Sequence, residues 1–102
     1  MTEARFDEVI HPGTRLSVVA LLAAADWVEF AYIRDQLSLS DSALSKQLST
    51  LQDVGYIHLD RETSGRRRRL RARLTPEGRV AFRAHVAALR EIVAAADGSE
   101  TL

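Results

Sequence analysis

The feature that most constrains this chain is a change of hydrophobic period at Gly55. Upstream, Leu44, Leu48, Leu51 and Val54 recur at intervals of four, three and three, which stacks them as one stripe on a helix. Downstream, Tyr56-Ile57-His58-Leu59-Asp60-Arg61-Glu62 alternates apolar with polar, the period of a strand with one buried face. Thr63-Ser64-Gly65 reads as a turn. Leu70, Ala72 and Leu74 then alternate with Arg69, Arg71 and Arg73, which predicts a return strand, apolar side in and guanidinium side out. Residues 56–74 are thus expected to form a hairpin with a cationic tip and a cationic outer strand.

The flanking signals place helices on both sides. Pro12 suits a first helical turn, where a missing N–H is no loss, and the dense apolar run from Leu16 to Ala25 reads as a largely buried helix. Asp26 and Trp27 break it, and Val28-Glu29-Phe30 has room only for a connector or a small strand. A second helix is expected over roughly 31–37, with Ile33 and Leu37 on one face. After the tight connection Ser38-Leu39-Ser40, Ser40 is placed to cap a third helix, about 41–54, with Asp41 at its positive dipole end and Gly55 as its stop. Thr75-Pro76-Glu77 marks the cap and first turn of a last helix, about 76–96. The length, 102 residues, and the lack of an internal repeat or linker predict a single domain over 1–102 with one modest core. Helix, short extended piece, helix, helix, hairpin, long helix is a mainly α chain with a small β-hairpin. That order predicts a winged helix-turn-helix with a long C-terminal dimerisation helix.

The residues themselves resemble a family. His11-Pro12, Arg15-Leu16, the serine- and leucine-spaced run from Leu39 to Leu51, Gly55-Tyr56-Ile57, the arginine-rich wing and Leu74-Thr75-Pro76-Glu77-Gly78-Arg79 follow one another as in short bacterial winged-helix transcriptional regulators of the MarR/ArsR type. The resemblance covers roughly residues 5–95. It implies a homodimer that binds operator DNA and regulates transcription. The chain departs from the metal-sensing branch, whose cysteine-rich helix motif it lacks. It is also shorter than most MarR proteins, without their long N-terminal dimer helix, so the resemblance does not by itself imply their ligand pocket.

Charge agrees with a polyanionic partner. Fourteen basic and fourteen acidic residues cancel, yet residues 1–60 hold four bases against nine acids and residues 61–102 hold ten against five, so the halves carry −5 and +5. Thirteen Arg to one Lys could reflect coding bias, but bias does not put six Arg into the eight positions from 66 to 73. With the leucine stripe of the third helix turned inward, Ser42, Ser45, Lys46 and Ser49 face out, joined by Ser40 at its start. They are short, polar and without negative charge, suited to a major groove or else to an ordinary solvated face. Arg66, Arg67 and Arg68 are assigned to phosphates or to an adjacent minor groove. Arg71 and Arg73 read instead as edge-protecting charges, some paired with Asp60 or Glu62 across the hairpin. Thr14 and Arg15, at a helix N-terminus, are candidate phosphate contacts, with a structural salt bridge the alternative for Arg15.

The last helix carries two stripes. Phe82, Val86, Leu89, Val93 and Ala96 follow a 4-3-4-3 seam, and Val80, Ala84, Ala87 and Ala88 make a second face of small residues, with Ile92 between them. One stripe can cover the chain's own core and the other a second copy, through Val80, Phe82, Ala84, Val86, Ala87, Leu89 and Val93; alternatively both are used within one chain. The exclusions are broad. Without cysteine there is no disulfide scaffold or thiolate metal site. His11, His58 and His85 are scattered, and neither a glycine-rich phosphate loop nor a Gly-x-Ser-x-Gly elbow occurs. No enzyme, metal or cofactor is expected, and a small-molecule effector is left open. No apolar run approaches a membrane span and no export signal opens the chain, so a cytoplasmic location is expected. The predicted function is a sequence-specific double-stranded DNA-binding regulator, acting as a dimeric repressor; the alternative is a winged-helix module that binds protein instead.

Overall fold

The computed structural model describes residues 3–64 and 67–97. In chain order these form α1 (Gly13–Ala23), β1 (Val28–Glu29), α2 (Phe30–Gln36), α3 (Asp41–Asp53), β2 (Ile57–Ser64), β3 (Arg67–Leu74) and α4 (Pro76–Asp97). The core is built from each element's period: Val18, Val19 and Leu22 of α1, Ile33 of α2, Leu44, Leu48 and Leu51 of α3, Ile57 of β2, and Ala72 and Leu74 of β3. Burying each of the larger of these side chains contributes about 1.5–3 kcal/mol.

Local chemistry sets the ends of the helix pair. α2 closes with Ser38 in the left-handed region, φ 53°, while the N–H of Leu39 donates to the Arg34 carbonyl at 3.0 Å. Ser40 then caps α3, its Oγ accepting from the Ala43 N–H at 3.1 Å. α3 ends in a Schellman arrangement. Gly55, φ 82°, donates to the Gln52 carbonyl at 3.0 Å, and Tyr56 donates to Leu51 at 2.9 Å. The Thr75 hydroxyl donates to the Gly55 carbonyl at 2.7 Å and accepts from the Gly78 N–H at 2.9 Å. One threonine therefore ties the end of α3 to the start of α4. Gly78 lies so close to the Tyr56 carbonyl that a Cβ there would run into its oxygen.

The sheet corrects the expectation of an outer cationic strand. Its order is β1-β3-β2, all antiparallel, with Val28 opposite Ala72 and Glu29 opposite Arg71. β3 is the central strand, because the small piece at Val28 docks beside it. The hairpin is also longer than its turn residues suggest: Thr63 and Ser64 belong to β2, opposite Arg68 and Arg67, so Arg67 stands in the strand and not at the tip.

The segment before α1, which shows only a few apolar residues in the sequence, is pinned across the molecule. Ile10 is fully buried, the Arg5 N–H donates to the Ala84 carbonyl at 2.9 Å, and the Asp7 N–H donates to Nδ1 of His85 at 2.9 Å. Tyr56 donates its hydroxyl to Asp7 at 2.6 Å.

Candidate nucleic-acid interface

Because Leu44, Leu48 and Leu51 point into the core, Ser42, Ser45, Lys46 and Ser49 are exposed along one side of α3. Ser40 stands at the start of this side, but its hydroxyl is engaged by the Ala43 N–H and lies 3.3 Å from Ser42 Oγ. Asp41, the acid of the first turn, is held by Arg34 at 2.9 Å, and Arg34 also grips Asp35 at 3.0 Å. The negative charge at the head of α3 thus has a counter-cation supplied by α2. Thr14 is exposed at the start of α1, above a shallow hollow bounded by Ser17, Leu37 and Leu39.

Arg15 makes hydrogen bonds within the chain. It is half-buried, with Nε donating to Gln47 at 2.9 Å and Nη1 to the Val9 carbonyl at 2.8 Å. It braces the N-terminal segment against α3 through neutral acceptors, so its charge is not cancelled by these bonds. Gln47 escapes sequence reasoning, because it lies between the leucine stripe and the exposed serines and belongs to neither pattern.

The hairpin arginines divide by partner. Arg71 pairs with Asp60 at 3.0 Å and lies over the Trp27 ring at 4.6 Å; Arg73 reaches Asp26 at 3.6 Å and lies over the same ring at 5.1 Å. These two have structural work on the outer face of the sheet, with Asp26 and Trp27 added to the cross-hairpin partners that spacing suggests. Arg69 is 3.7 Å from Glu29 at the end of β1. Arg66 lies outside the described residues. Arg67 and Arg68 are placed by backbone register alone, their side chains being outside the described residues.

Helix α3 and the hairpin border a common cleft of about 620 Å³, lined by Glu29, Phe30, Ala31, Asp41, Ser45, Arg61, Arg69 and Leu70. A side chain of the exposed serine row and two hairpin arginines therefore share one concavity. Arg61 is absent from the sequence candidates because it sits in the alternating part of β2 and outside the arginine block.

The C-terminal helix divides at about its middle. Ala84 is 8% exposed, and Phe82 is half-buried against the core. Val86, Ala87 and Leu89 are half-buried, whereas Val80 is 63% and Val93 59% exposed. Ile92, placed between the stripes by sequence, is 55% exposed. The histidines are less scattered than their numbering implies. His85 is fully buried, its ring 5.4 Å from that of His11, with Phe6 4.6 Å from His11 and 4.8 Å from His85. Among the described residues no group of three or more His, Cys, Asp or Glu side chains could hold a metal, and no helix is long and apolar enough to cross a membrane.

Comparison with solved structures finds the same fold in other proteins. A transcriptional regulator homologue protein from Pyrococcus horikoshii OT3 superposes with a TM-score of 0.84 at 18% identity, over 89% of this chain and 90% of that one. The zinc-responsive MarR family member ZitR of Lactococcus lactis matches with a TM-score of 0.66 at 25% identity, over 89% of this chain and 62% of its own. The M. tuberculosis transcriptional regulator MOSR, solved in complex with DNA, matches with a TM-score of 0.70 at 19% identity, over 89% of this chain and 65% of its own. The chain thus spans less than two thirds of the latter two. Residues 14–93, running from the start of α1 through most of α4, match the family described as winged helix DNA-binding domain, and the chain belongs to that family.

Proposed function

We propose that the chain is a sequence-specific double-stranded DNA-binding transcriptional regulator, acting as a homodimer that represses by occluding a promoter. The observation that carries this reading is the shared cleft: Ser45 of α3 and Arg61 and Arg69 of the hairpin line one concavity. The exposed serine row, Lys46 and the arginine-rich hairpin are thereby parts of one surface. α3 enters the major groove, where Ser42, Ser45, Lys46 and Ser49 meet base edges and phosphates. Arg66, Arg67 and Arg68 supply the phosphate and minor-groove anchor, and Thr14 and the uncancelled charge of Arg15 add contacts from the start of α1. The family is one of DNA-binding domains, and the similar MOSR was solved with DNA. These agree with a binding protein and with no catalytic role. The whole chain, 1–102, acts as one such domain, resident in the cytoplasm; no cofactor enters the reading, and an effector is not required by it.

The test is a titration of labelled promoter and random-sequence duplexes across salt. A dimer that neutralises about six to eight phosphates gives a log K against log salt slope of about −5 to −7. Selection of bound fragments from genomic DNA then gives the half-site spacing, about 34 Å for successive turns. A slope near zero, or no retardation of either duplex, would overturn the reading in favour of a protein-binding module.

A further inference from the structure

The cleft between α3 and the hairpin has a sharper role than a general cationic patch. It opens where β1 stops: β1 covers β3 at Arg71 and Ala72, and Glu29, its last residue, marks the boundary beyond which this side of β3 has no described strand neighbour. Two guanidinium groups reach the cleft from opposite rows of the sheet. Arg61 lies opposite Leu70, in the row that begins with Ile57 and Leu59, but past the end of the core, and it is exposed. Among the described residues Arg61 has no ion-pair partner. Arg69 comes from the other row and is held by Glu29, with 3.7 Å between Nε and Oε1 and both side chains about half exposed. Ser45 stands across from them on α3.

Geometry fixes what must pass between these walls when DNA is bound. With α3 in a major groove and the hairpin reaching the adjacent minor groove, the sugar-phosphate ridge that separates the two grooves runs through the gap between helix and hairpin. We propose that this cleft seats that ridge, with Arg61 and Arg69 as phosphate ligands, and that Glu29 occupies Arg69 in the free protein and yields it to the phosphodiester. This rests on the DNA-binding reading above and names how that surface is switched between its free and bound states.

The exchange is favourable in its parts. A half-exposed pair at 3.7 Å is long for a hydrogen bond and contributes little. A phosphate offers guanidinium two parallel, charge-assisted bonds. The other acid of the cleft, Asp41, is held by Arg34 at 2.9 Å and so does not oppose a phosphate with a bare charge. Glu29 therefore acts as an internal competitor that lowers affinity for any duplex and leaves base readout by α3 untouched.

The test uses the full chain and a fluorescein-labelled random-sequence duplex, titrated by anisotropy at about 50 and about 200 mM salt. For each phosphate that the complex ceases to neutralise, the drop in affinity over that range shrinks about 3.5-fold, so a dimer that loses one per protomer shrinks it about 12-fold, the consequence of a slope of about −0.9 per phosphate. Arg61→Ala and Arg69→Ala are each expected to show this, and Glu29→Gln to bind more tightly than wild type at low salt. In an Arg69→Ala background, Glu29→Gln is expected to change nothing. All three side chains are exposed, so thermal unfolding of the variants should match wild type. If wild type binds but Arg61→Ala and Arg69→Ala keep its salt slope, the cleft assignment falls and the DNA-binding reading stands. A Glu29→Gln gain that persists without Arg69 makes Glu29 a distant repulsion and overturns the exchange. Failure of wild type itself to bind overturns both readings together.

Discussion

At the scale of single residues, His85 sets burial against ionisation. Its Nδ1 accepts from the Asp7 N–H, so the ring proton belongs on Nε2, which is buried without a partner among the described residues. Burial pushes the imidazole below its usual 6.5, His11 adds to the effect and Asp7 opposes it. A lowered folded value means that the unfolded chain takes up the proton first. The stability tied to a neutral His85 is complete above about 6.5 and is lost as pH falls toward the folded value. The urea midpoint is therefore expected to drop between about pH 7.5 and about pH 5.5. His85→Leu, less stable at the upper pH because the Asp7 N–H loses its acceptor, should show a flatter profile; an unchanged slope would place the acid sensitivity elsewhere. Tyr56 has the opposite sign. Donation to Asp7, helped by burial, lifts its hydroxyl to about 12, so its contribution is present below the usual 10 and fades as pH rises through about 12. Two backbone positions separate equally cleanly. Ser38 holds φ 53° in the turn of the helix pair, so Ser38→Gly should stabilise by roughly 0.5–1 kcal/mol, relief of left-handed strain less glycine's entropy. Gly78→Ala places its Cβ against the Tyr56 carbonyl and should cost about 1–3 kcal/mol. Gly13→Ala, with nothing within 4 Å, is its control in thermal unfolding.

At the scale of elements, the proposed division of labour between α3 and the hairpin makes opposite signatures. Replacing Arg66, Arg67 and Arg68 together by Ala should weaken binding to promoter and random duplexes alike and flatten the slope by about 0.9 for each phosphate left without its guanidinium. Ser45→Ala and Lys46→Ala should change the ratio between the two duplexes more than the slope, because base contacts specify while phosphate contacts position. The reverse pattern in anisotropy titrations would exchange the two roles. The elements that sequence makes legible are those whose signals are local. Ser40 and Thr75 cap α3 and α4 as their neighbours dictate, and the leucine spacing alone exposes Ser42, Ser45, Lys46 and Ser49. What stays hidden depends on partners distant along the chain. A two-residue strand at Val28 has no period of its own and exists because β3 pairs with it, which is why β3 reads from sequence as an outer strand. Arg15 meets Gln47 and His11 meets His85 only after the fold has closed. Arg61 is hidden by the alternation that identifies its strand, and Glu29 by a segment too short to show which way it faces.

At the scale of the whole molecule, α4 makes the largest demand on a partner. Its 22 residues extend about 33 Å, yet from Val86 onward no side chain is fully buried, and Ile92 and Val93 are more than half exposed. On a helix these two lie near Leu89, along the continuation of the face that carries His85 and Phe82 onto the core. The helix thus carries its core-facing side past the end of the core, and that overhang is where the proposed two-fold partner belongs. We propose that the interface centres on Leu89, Ile92 and Val93 and less on Ala84, which the chain itself buries. Such an interface would fix the distance between two copies of α3, and so the half-site spacing, without touching DNA. The double substitution Ile92→Asp and Val93→Asp leaves the core packing intact, so thermal unfolding measured at low protein concentration should stay close to wild type. It is expected to halve the mass in sedimentation equilibrium and to bring the salt slope from about −5 to −7 down to about −3, since one protomer neutralises half as many phosphates. Retained dimer mass in this variant would move the proposed interface off the overhang, toward the exposed Val80 near the start of the helix. A halved mass with an undiminished slope would instead mean that the two copies of α3 do not act on DNA together.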